Sequence, residues 1–504
     1  MRVALIGGGA VAVSVLDSLL LRAEEMSGPV ELDVYEPARL GHGRAFAPDL
    51  DCALVNLPNG EMTVRGSQRD QFVRWLDVHR DRFELSDSAV AGAGFSPRRL
   101  FGSYLRDQFE RCRAAAEGQG WRLTVRPEAA VDLAESTDGR LAVAGSSGAQ
   151  DYTHVVVGIG GGEPADPYRL AGAPGFLADP YPLRETLADI PPEEHVIVVG
   201  TGLTAVDVVL ALLARGHQGP VTLTSRRGVL PEIRAPRSTR DLTVLATAAL
   251  HAELARRPEL AAREVWGLLR AELTAAGVDV DAVLSWFGRP ADAYLRHQLT
   301  DPTANVVQSI FMGIPLEVAR TVRAALPAAD VGELSRYKPW LKSIQCPMPP
   351  ANARTLLSAM DTGQLRVVRG LSDVHHAGEG FRVTAAAHVP PARHLVDATR
   401  LPPGRTRGLA RHLITALSRK FASWDRHGGL RTDLATARVR LTSGQHDPRL
   451  FAIGELTAGD IYFASSLPAV NRGADAAARS LATWSRPGPT GAARADARPR
   501  MSRR

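Results

Sequence analysis

Arg2-Val-Ala-Leu-Ile6 opens the chain as a short run of apolar residues with no polar alternation, which reads as a fully buried strand. Three glycines follow, then an apolar run from Val13 to Leu21 at helical spacing, and a second strand from Val30 to Tyr35. The same texture returns later. His195-Val-Ile-Val-Val199 predicts a strand, Val206 to Ala214 an apolar helix ending near Gly216, and Val221 to Thr224 the next strand. Between the two units lie a helix from Phe101 to Arg113 and strands from Trp121 to Val125 and Arg140 to Val143, with a turn at Thr137-Asp-Gly139. A buried strand then runs into a glycine turn at His154-Val-Val-Val-Gly-Ile-Gly160. From Glu232 to about Met360 the pattern becomes alanine-, leucine- and arginine-rich, with helices predicted over Leu242 to Leu254, Leu260 to Ala275, Ala304 to Gly313 and Leu316 to Ala325. Tyr337 to Pro350, dense in proline and aromatics, reads as an ordered loop, with Pro349 and Pro350 starting a helix over Ala351 to Met360. Strands resume at Gln364 to Val368, Phe381 to Ala385 and Leu395 to Ala398. The last is Leu450-Phe-Ala-Ile-Gly-Glu-Leu456, before Gly459-Asp460 and a helix from about Leu467 to Trp484.

Strand, glycine turn, helix, strand and terminal acid form the pattern of a dinucleotide fold. Gly7 permits the tight turn, Gly9 lets backbone N–H groups approach a pyrophosphate at the helix N-terminus, Ala10 continues the turn, and Ala12 holds the third glycine position. Glu36, 24 residues past Ala12, is placed to accept hydrogen bonds from an adenosine ribose. In the second unit Gly200, Gly202, Leu203 and Thr204 repeat the turn, but the strand ends in Ser225-Arg226-Arg227. Arginines there suit the 2′-phosphate of NADP, which an acid would repel, so NADPH is expected over NADH. The fold expected is α/β, with two Rossmann-like, three-layer (ββα/βαβ) domains and a helical insertion. Residues 1–190 and 401–484 would form the first nucleotide domain, 191–231 and 363–400 the second, 232–362 the insertion, and 485–504 a disordered basic tail.

Of the formal charge of +6, the last twenty residues contribute +5, holding six arginines and one aspartate. The body is therefore near neutral, which argues against a nucleic-acid partner. No run approaches the roughly 20 apolar residues of a membrane span, and the chain opens on a core strand; a cytoplasmic protein without a membrane partner is expected. Cys52, Cys112 and Cys346 are too far apart for a Cys-x-x-Cys pair, and neither a metal site nor a disulfide framework is expected.

With these residues in hand, the chain resembles the two-dinucleotide flavoproteins, in which an N-terminal fold holds FAD and an inserted second fold holds NAD(P)H. Gly7-x-Gly9-x-x-Ala12, Gly200-x-Gly202-x-x-Ala205 and Ile453-Gly454-Glu455 carry that likeness. Tyr35-Glu-Pro37, Gly41-x-Gly-x-Ala-Phe46, Leu54-Val-Asn-Leu-Pro58 and Ser225-Arg-Arg-Gly228 are similar to a bacterial branch that includes flavin-dependent N-hydroxylating monooxygenases, among them enzymes oxidising the amine of aspartate towards nitrosuccinate. The resemblance implies FAD and NADPH as cofactors. It adds Arg44, Asn56, Val131, Gly454 and Glu455 to the FAD set, although Asn56 would equally serve as a turn residue. It implies hydride transfer from NADPH to flavin, capture of O2 as a C4a-hydroperoxide, and attack by a neutral amine, with no side-chain catalyst assigned. An amino acid substrate would need a cationic fork for its carboxylate; Arg234 and Lys342, with Arg237 and Lys338, are candidates by location. Asp397-Ala-Thr-Arg400 departs from the Asp-x-Ala-Thr-Gly stretch of N-hydroxylases at its last position. The alternative is a FAD-containing NAD(P)H oxidoreductase or dehydrogenase without oxygen insertion; a third reading is a binding or regulatory protein on the same fold. Self-association into a homo-oligomer is left open.

Overall fold

The computed structural model describes residues 1–485 apart from 161, 164–165, 237–240, 246, 257–258, 302, 328, 331, 333–336, 379, 400–407, 426–427 and 459–465. The expectations for Arg237, Arg400, Gly459, Asp460 and the tail from 486 onward lie outside the described residues.

Short apolar strands flanked by glycine favour burial between layers, and the chain builds two sheets in this way. The first contains β1 (Arg2–Ile6), β2 (Glu31–Tyr35), β3 (Arg122–Arg126), β7 (His154–Val157), β15 (Arg438–Arg440) and β16 (His446–Ala452). Its order is β15-β16-β7-β1-β2-β3, parallel except for β15 at the edge. One face is covered by α1 (Ala10–Leu20), α3 (Arg98–Gly118) and α14 (Leu467–Ser485). Ala474, Ala477 and Ala478 are fully buried there, and such small side chains let α1 and α14 approach closely. Phe72 and Trp75 of α2 (Gln71–Val78) pack on Tyr104 of α3. The opposite face carries an antiparallel layer of β4 (Asp132–Glu135), β5 (Leu141–Gly145) and β6 (Gly148–Tyr152), with α13 (Leu409–Lys420).

The second sheet contains β8 (Phe176–Leu177), β9 (Val196–Val199), β10 (Val221–Ser225), β11 (Leu365–Arg369) and β14 (His394–Asp397). All its strands run parallel in the order β11-β10-β9-β14-β8. Helices α4 (Leu203–Ala214) and α12 (Pro350–Asp361) cover one face. A hairpin of β12 (Asp373–Ala377) and β13 (Gly380–Thr384) covers the other. Both halves are thus three-layered, an α/β fold of two nucleotide-type domains.

Between β10 and α12 the chain inserts α5 (Thr247–Arg256), α6 (Ala262–Ala275), α7 (Val280–Ser285), α8 (Ala291–Thr300), α9 (Thr303–Gly313), α10 (Leu316–Ala325) and α11 (Lys338–Gln345). The strand expected over Phe381 to Ala385 is present as β13, in the hairpin with β12. Two readings of the sequence need correction. The stretch read as an ordered loop from Tyr337 contains α11, because Pro339 falls in the first helical turn, where its missing N–H costs nothing. The first domain was bounded at residue 190, yet β8 pairs with β14 of the second sheet.

Candidate functional site

In the first half, β1 delivers the chain to Gly7 at φ +100°, a left-handed conformation that side chains rarely adopt; a Cβ there would stand 2.8 Å from the Gly158 carbonyl oxygen. Gly9 is the N-cap of α1 and no side chain caps it, so the first helical N–H groups are left for another acceptor. A Cβ on Gly9 would come 3.4 Å from the Gly43 Cα, so the Gly41–Gly43 loop lies against the turn through backbone alone. Gly158 and Gly454 both pack on Val11, which brings the ends of β7 and β16 to the same turn. Ala12 is buried and Ala10 half-buried. Glu36 Oε2 accepts the Gly8 N–H at 2.9 Å, while Oε1 accepts those of Ala38 and Arg39 at 3.3 and 3.0 Å. The carboxylate therefore ties the end of β2 to the glycine turn.

Of the other residues in the FAD set, Glu455 opens a single turn after Gly454. Val131 donates its N–H to Ala144 in the antiparallel layer at 2.8 Å. Arg44 ion-pairs with Asp179 and lies over the Tyr181 ring, so it reaches towards the second half.

The second cradle repeats the first. Gly200 has φ +119° and donates to the Thr224 carbonyl at 2.8 Å; Gly202 is an N-cap without a capping side chain, and a Cβ on it would meet nothing within 4 Å. Leu203 and Thr204 form the first turn of α4, both half-buried. Asp397 accepts from the Thr399 N–H and hydroxyl at 2.8 and 2.6 Å, which fixes the backbone beyond β14 against Gly200. The Ser225 hydroxyl oxygen accepts the Gly228 N–H at 2.9 Å and thereby closes a tight turn. Arg226 and Arg227 project from that turn into solvent, with no ion pair among the described residues.

The loops leaving the two cradles meet at Arg234. This guanidinium is 6% exposed and donates through Nε and Nη2 to the Asn56 carbonyl, at 3.1 and 2.8 Å. Its Nη1 reaches only the Met312 sulfur, at 3.0 Å, a weak acceptor. No carboxylate pairs with it among the described residues, and burial pulls its pKa below the ordinary value against the nearby charge of Glu61. Arg234 and Asn56, expected in different roles, are brought into contact. Lys342 is exposed on α11, and the structure shows no contact that joins it to Arg234. Lys338 opens the same helix. Nearby Glu232 is buried and accepts from the Tyr294 hydroxyl at 2.7 Å; burial pushes its carboxyl up to about 7, although that hydrogen bond pulls the other way.

A polar cluster that sequence reasoning missed joins the halves beside the second cradle. Arg98, the first residue of α3, pairs with Asp207 of α4 at 2.7 Å. The Tyr181 hydroxyl donates to Asp207 and accepts from Arg98 at 3.1 Å. Burial raises the Asp207 pKa, opposed by the Arg98 charge. An acid inside the apolar run Val206 to Leu213 was the available signal.

Comparison with known proteins agrees with this geometry. Residues 4–162 match the family model described as FAD-NAD(P)-binding. "Uncharacterized protein YdhS" of Escherichia coli (strain K12) is 23% identical over 306 residues, a match covering 55% of each chain, so the chain spans about half the length of that relative. Among solved structures, the reduced form of ornithine hydroxylase from Pseudomonas aeruginosa superposes with a TM-score of 0.55 at 13% identity, covering 96% of this chain and 98% of that one. The FAD-bound cadaverine monooxygenase of Erwinia amylovora gives 0.55 at 13%, over 95% and 94%. L-lysine 6-monooxygenase from Pseudomonas syringae gives 0.52 at 14%, over 96% and 98%. At such identities the likeness establishes the fold, along nearly the whole length of each chain.

Proposed function

We propose that the chain is a FAD-dependent, NADPH-consuming monooxygenase that N-hydroxylates a small amino acid or amine. FAD is assigned to the half built on β1–β7, β15 and β16, and NADPH to the half built on β8–β11 and β14. The cradles fit the two groups: each has an uncapped helix N-terminus behind a left-handed glycine, and their second strands end in an acid in one half and two arginines in the other. When bound, FAD with NADPH and O2 supplies an electrophilic oxygen atom for transfer to an amine.

The observation that carries the substrate side is Arg234. A buried guanidinium hydrogen-bonded only to a carbonyl and a thioether, with the Glu61 charge near but not bonded to it, costs stability that a directly bound anion would recover. It stands where the Asn56 loop, the strand leaving the second cradle and helix α9 converge, so a substrate carboxylate held there would place its amine between the halves. Ornithine and lysine are the substrates in the names of two structural neighbours, and cadaverine, without a carboxylate, in that of the third. Arg234 favours the amino acid, with aspartate the first to try.

The test is NADPH consumption under air by the FAD-loaded protein with a panel of amino acids and their decarboxylated amines. Coupled formation of a hydroxylamine or nitroso product is expected, with Arg234→Gln raising KM for the carboxylate-bearing substrate about 10–100-fold. NADPH oxidation that ignores amines and needs an added electron acceptor would instead assign a reductase.

A further inference from the structure

We infer that Arg98 and Asp207 form a positioning pair that sets how the second cradle presents its nicotinamide to the flavin of the first; this rests on the cofactor assignment above. Arg98 is anchored in the first half, its N–H donating to the Ala53 carbonyl at 2.9 Å and its Nε to that of Leu54 at 3.2 Å. Asp207 belongs to the second half, one helical turn past Leu203 on the helix whose N-terminus forms the cradle. The pair is sequestered, with side chains 20% and 3% exposed. Two further ties run alongside. Asp49 of the first half accepts the N–H groups of Leu183 and Arg184 at 2.8 and 2.9 Å, and Arg44 holds Asp179. Leu50, Cys52 and Ala53 pack into the apolar core of the second half.

The apolar packing and the two flanking ties already hold the seam together, so cohesion does not require a buried ion pair here. Burying two charges recovers little net stability, and a well-packed apolar pair of the same volume is often as stable. What the ion pair adds is direction. Its geometry is fixed by the Tyr181 hydroxyl, which bonds both members. A rotation of α4 about the seam would break all three contacts together. Hydride transfer, in which a hydrogen leaves the dihydronicotinamide with its electron pair for the flavin ring, needs the two rings within about 3–3.5 Å, and a displacement of about 1 Å costs on the order of 100-fold. Among the described residues, this pair joins the first half directly to the helix that carries the second cradle.

The experiment compares the native chain with Asp207→Asn and Arg98→Lys. Flavin reduction by NADPH is followed without oxygen, reoxidation by O2 is followed after dithionite reduction, and backbone hydrogen exchange is followed on the cofactor-free chain. Asp207→Asn should slow reduction at saturating NADPH about 10–100-fold, with half-saturation moved less than about threefold and reoxidation unchanged. Arg98→Lys, which keeps the charge facing Asp207 but loses the bonds to Leu54 and Tyr181, should slow reduction less than Asp207→Asn does. In the cofactor-free Asp207→Asn chain, amides of residues 50–54 and 181–187 should exchange faster while those of β1 and β2 do not. Reduction within twofold of native overturns the positioning role, as does an equal slowing of reduction and reoxidation in both variants. A native chain that takes up no FAD sinks the cofactor reading and this role with it. A yellow, NADPH-reducible native protein keeps the two outcomes apart.

Discussion

The two cradles share a strand, a left-handed glycine and an uncapped helix, and they differ in what the next strand delivers to the rim. In the first, Glu36 arrives and is held by three backbone N–H groups from the glycine turn and its own loop. In the second, Ser225 closes a turn on Gly228 and leaves two arginines in solvent. The backbone is common to both, and the two rims differ in one or two side chains of opposite charge at equivalent places. The glycines differ as well. Gly7 and Gly200 are alike, each left-handed and hemmed in by backbone, but at the N-caps a Cβ on Gly9 would stand 3.4 Å from the Gly43 Cα while one on Gly202 would enter open space. The left-handed glycines are demanded by the fold in both halves, and the Gly202 N-cap alone of the four has open space beside it.

Substituting these glycines should produce the largest contrast. Gly7→Val must force a side chain into φ +100° and within 2.8 Å of a carbonyl, a loss of about 3 kcal/mol or more, with FAD uptake abolished. Gly202→Val should leave thermal stability and FAD content within about 1 kcal/mol and twofold of native, yet abolish reduction by NADPH. Melting curves, flavin absorbance and anaerobic reduction read all three. Equal damage from both would mean that the Gly202 N-cap is as crowded as the left-handed Gly7.

Much of this contrast is legible in the sequence because it is local. Glycine spacing, apolar runs and the residue at the strand end all fall within about forty residues of one another in each unit. What escaped depends on distant partners. β8 has only two residues and is a strand because Leu395 and Val396 pair with it. Helix α11 was obscured by prolines, one of which starts it. Arg98 and Asp207 lie 109 positions apart, and nothing local marks either as the other's partner. Glu36 was expected to serve a ribose, but its backbone ties show only in three dimensions.

The exits from the cradles differ in burial, and pH should expose this. Glu36 is half-buried, whereas the second exit loop carries Glu232, buried and titrating near 7 against an ordinary 4.5. Below pH 4.5 both folded and unfolded chains hold that proton, so its full contribution is present. Between 4.5 and about 7 only the folded chain keeps it, and stability falls as pH rises. Above about 7 the loss is complete, about 3.5 kcal/mol at 1.4 kcal/mol per pH unit. Denaturant melts from pH 5 to 8 should therefore show declining stability that Glu232→Gln flattens. A native profile that rises through this range would place the carboxyl in a charged, satisfied state and remove this distinction between the exits.

The smallest effect bears most directly on the comparison. Arg226 and Arg227 are exposed, so each contact with a 2′-phosphate is screened and contributes about 1 kcal/mol or somewhat more. Replacing both with alanine should reduce the preference for NADPH over NADH about 10–100-fold, mainly through a higher KM for NADPH, while NADH, which has no phosphate to lose, changes little. The loss should shrink as salt rises, since the arginines act from solvent. Arg226→Glu should go further and favour NADH, because it gives the second rim the charge that Glu36 gives the first. If selectivity survives both changes, the phosphate is read elsewhere, and the rim's opposite charges distinguish the two nucleotides in appearance only.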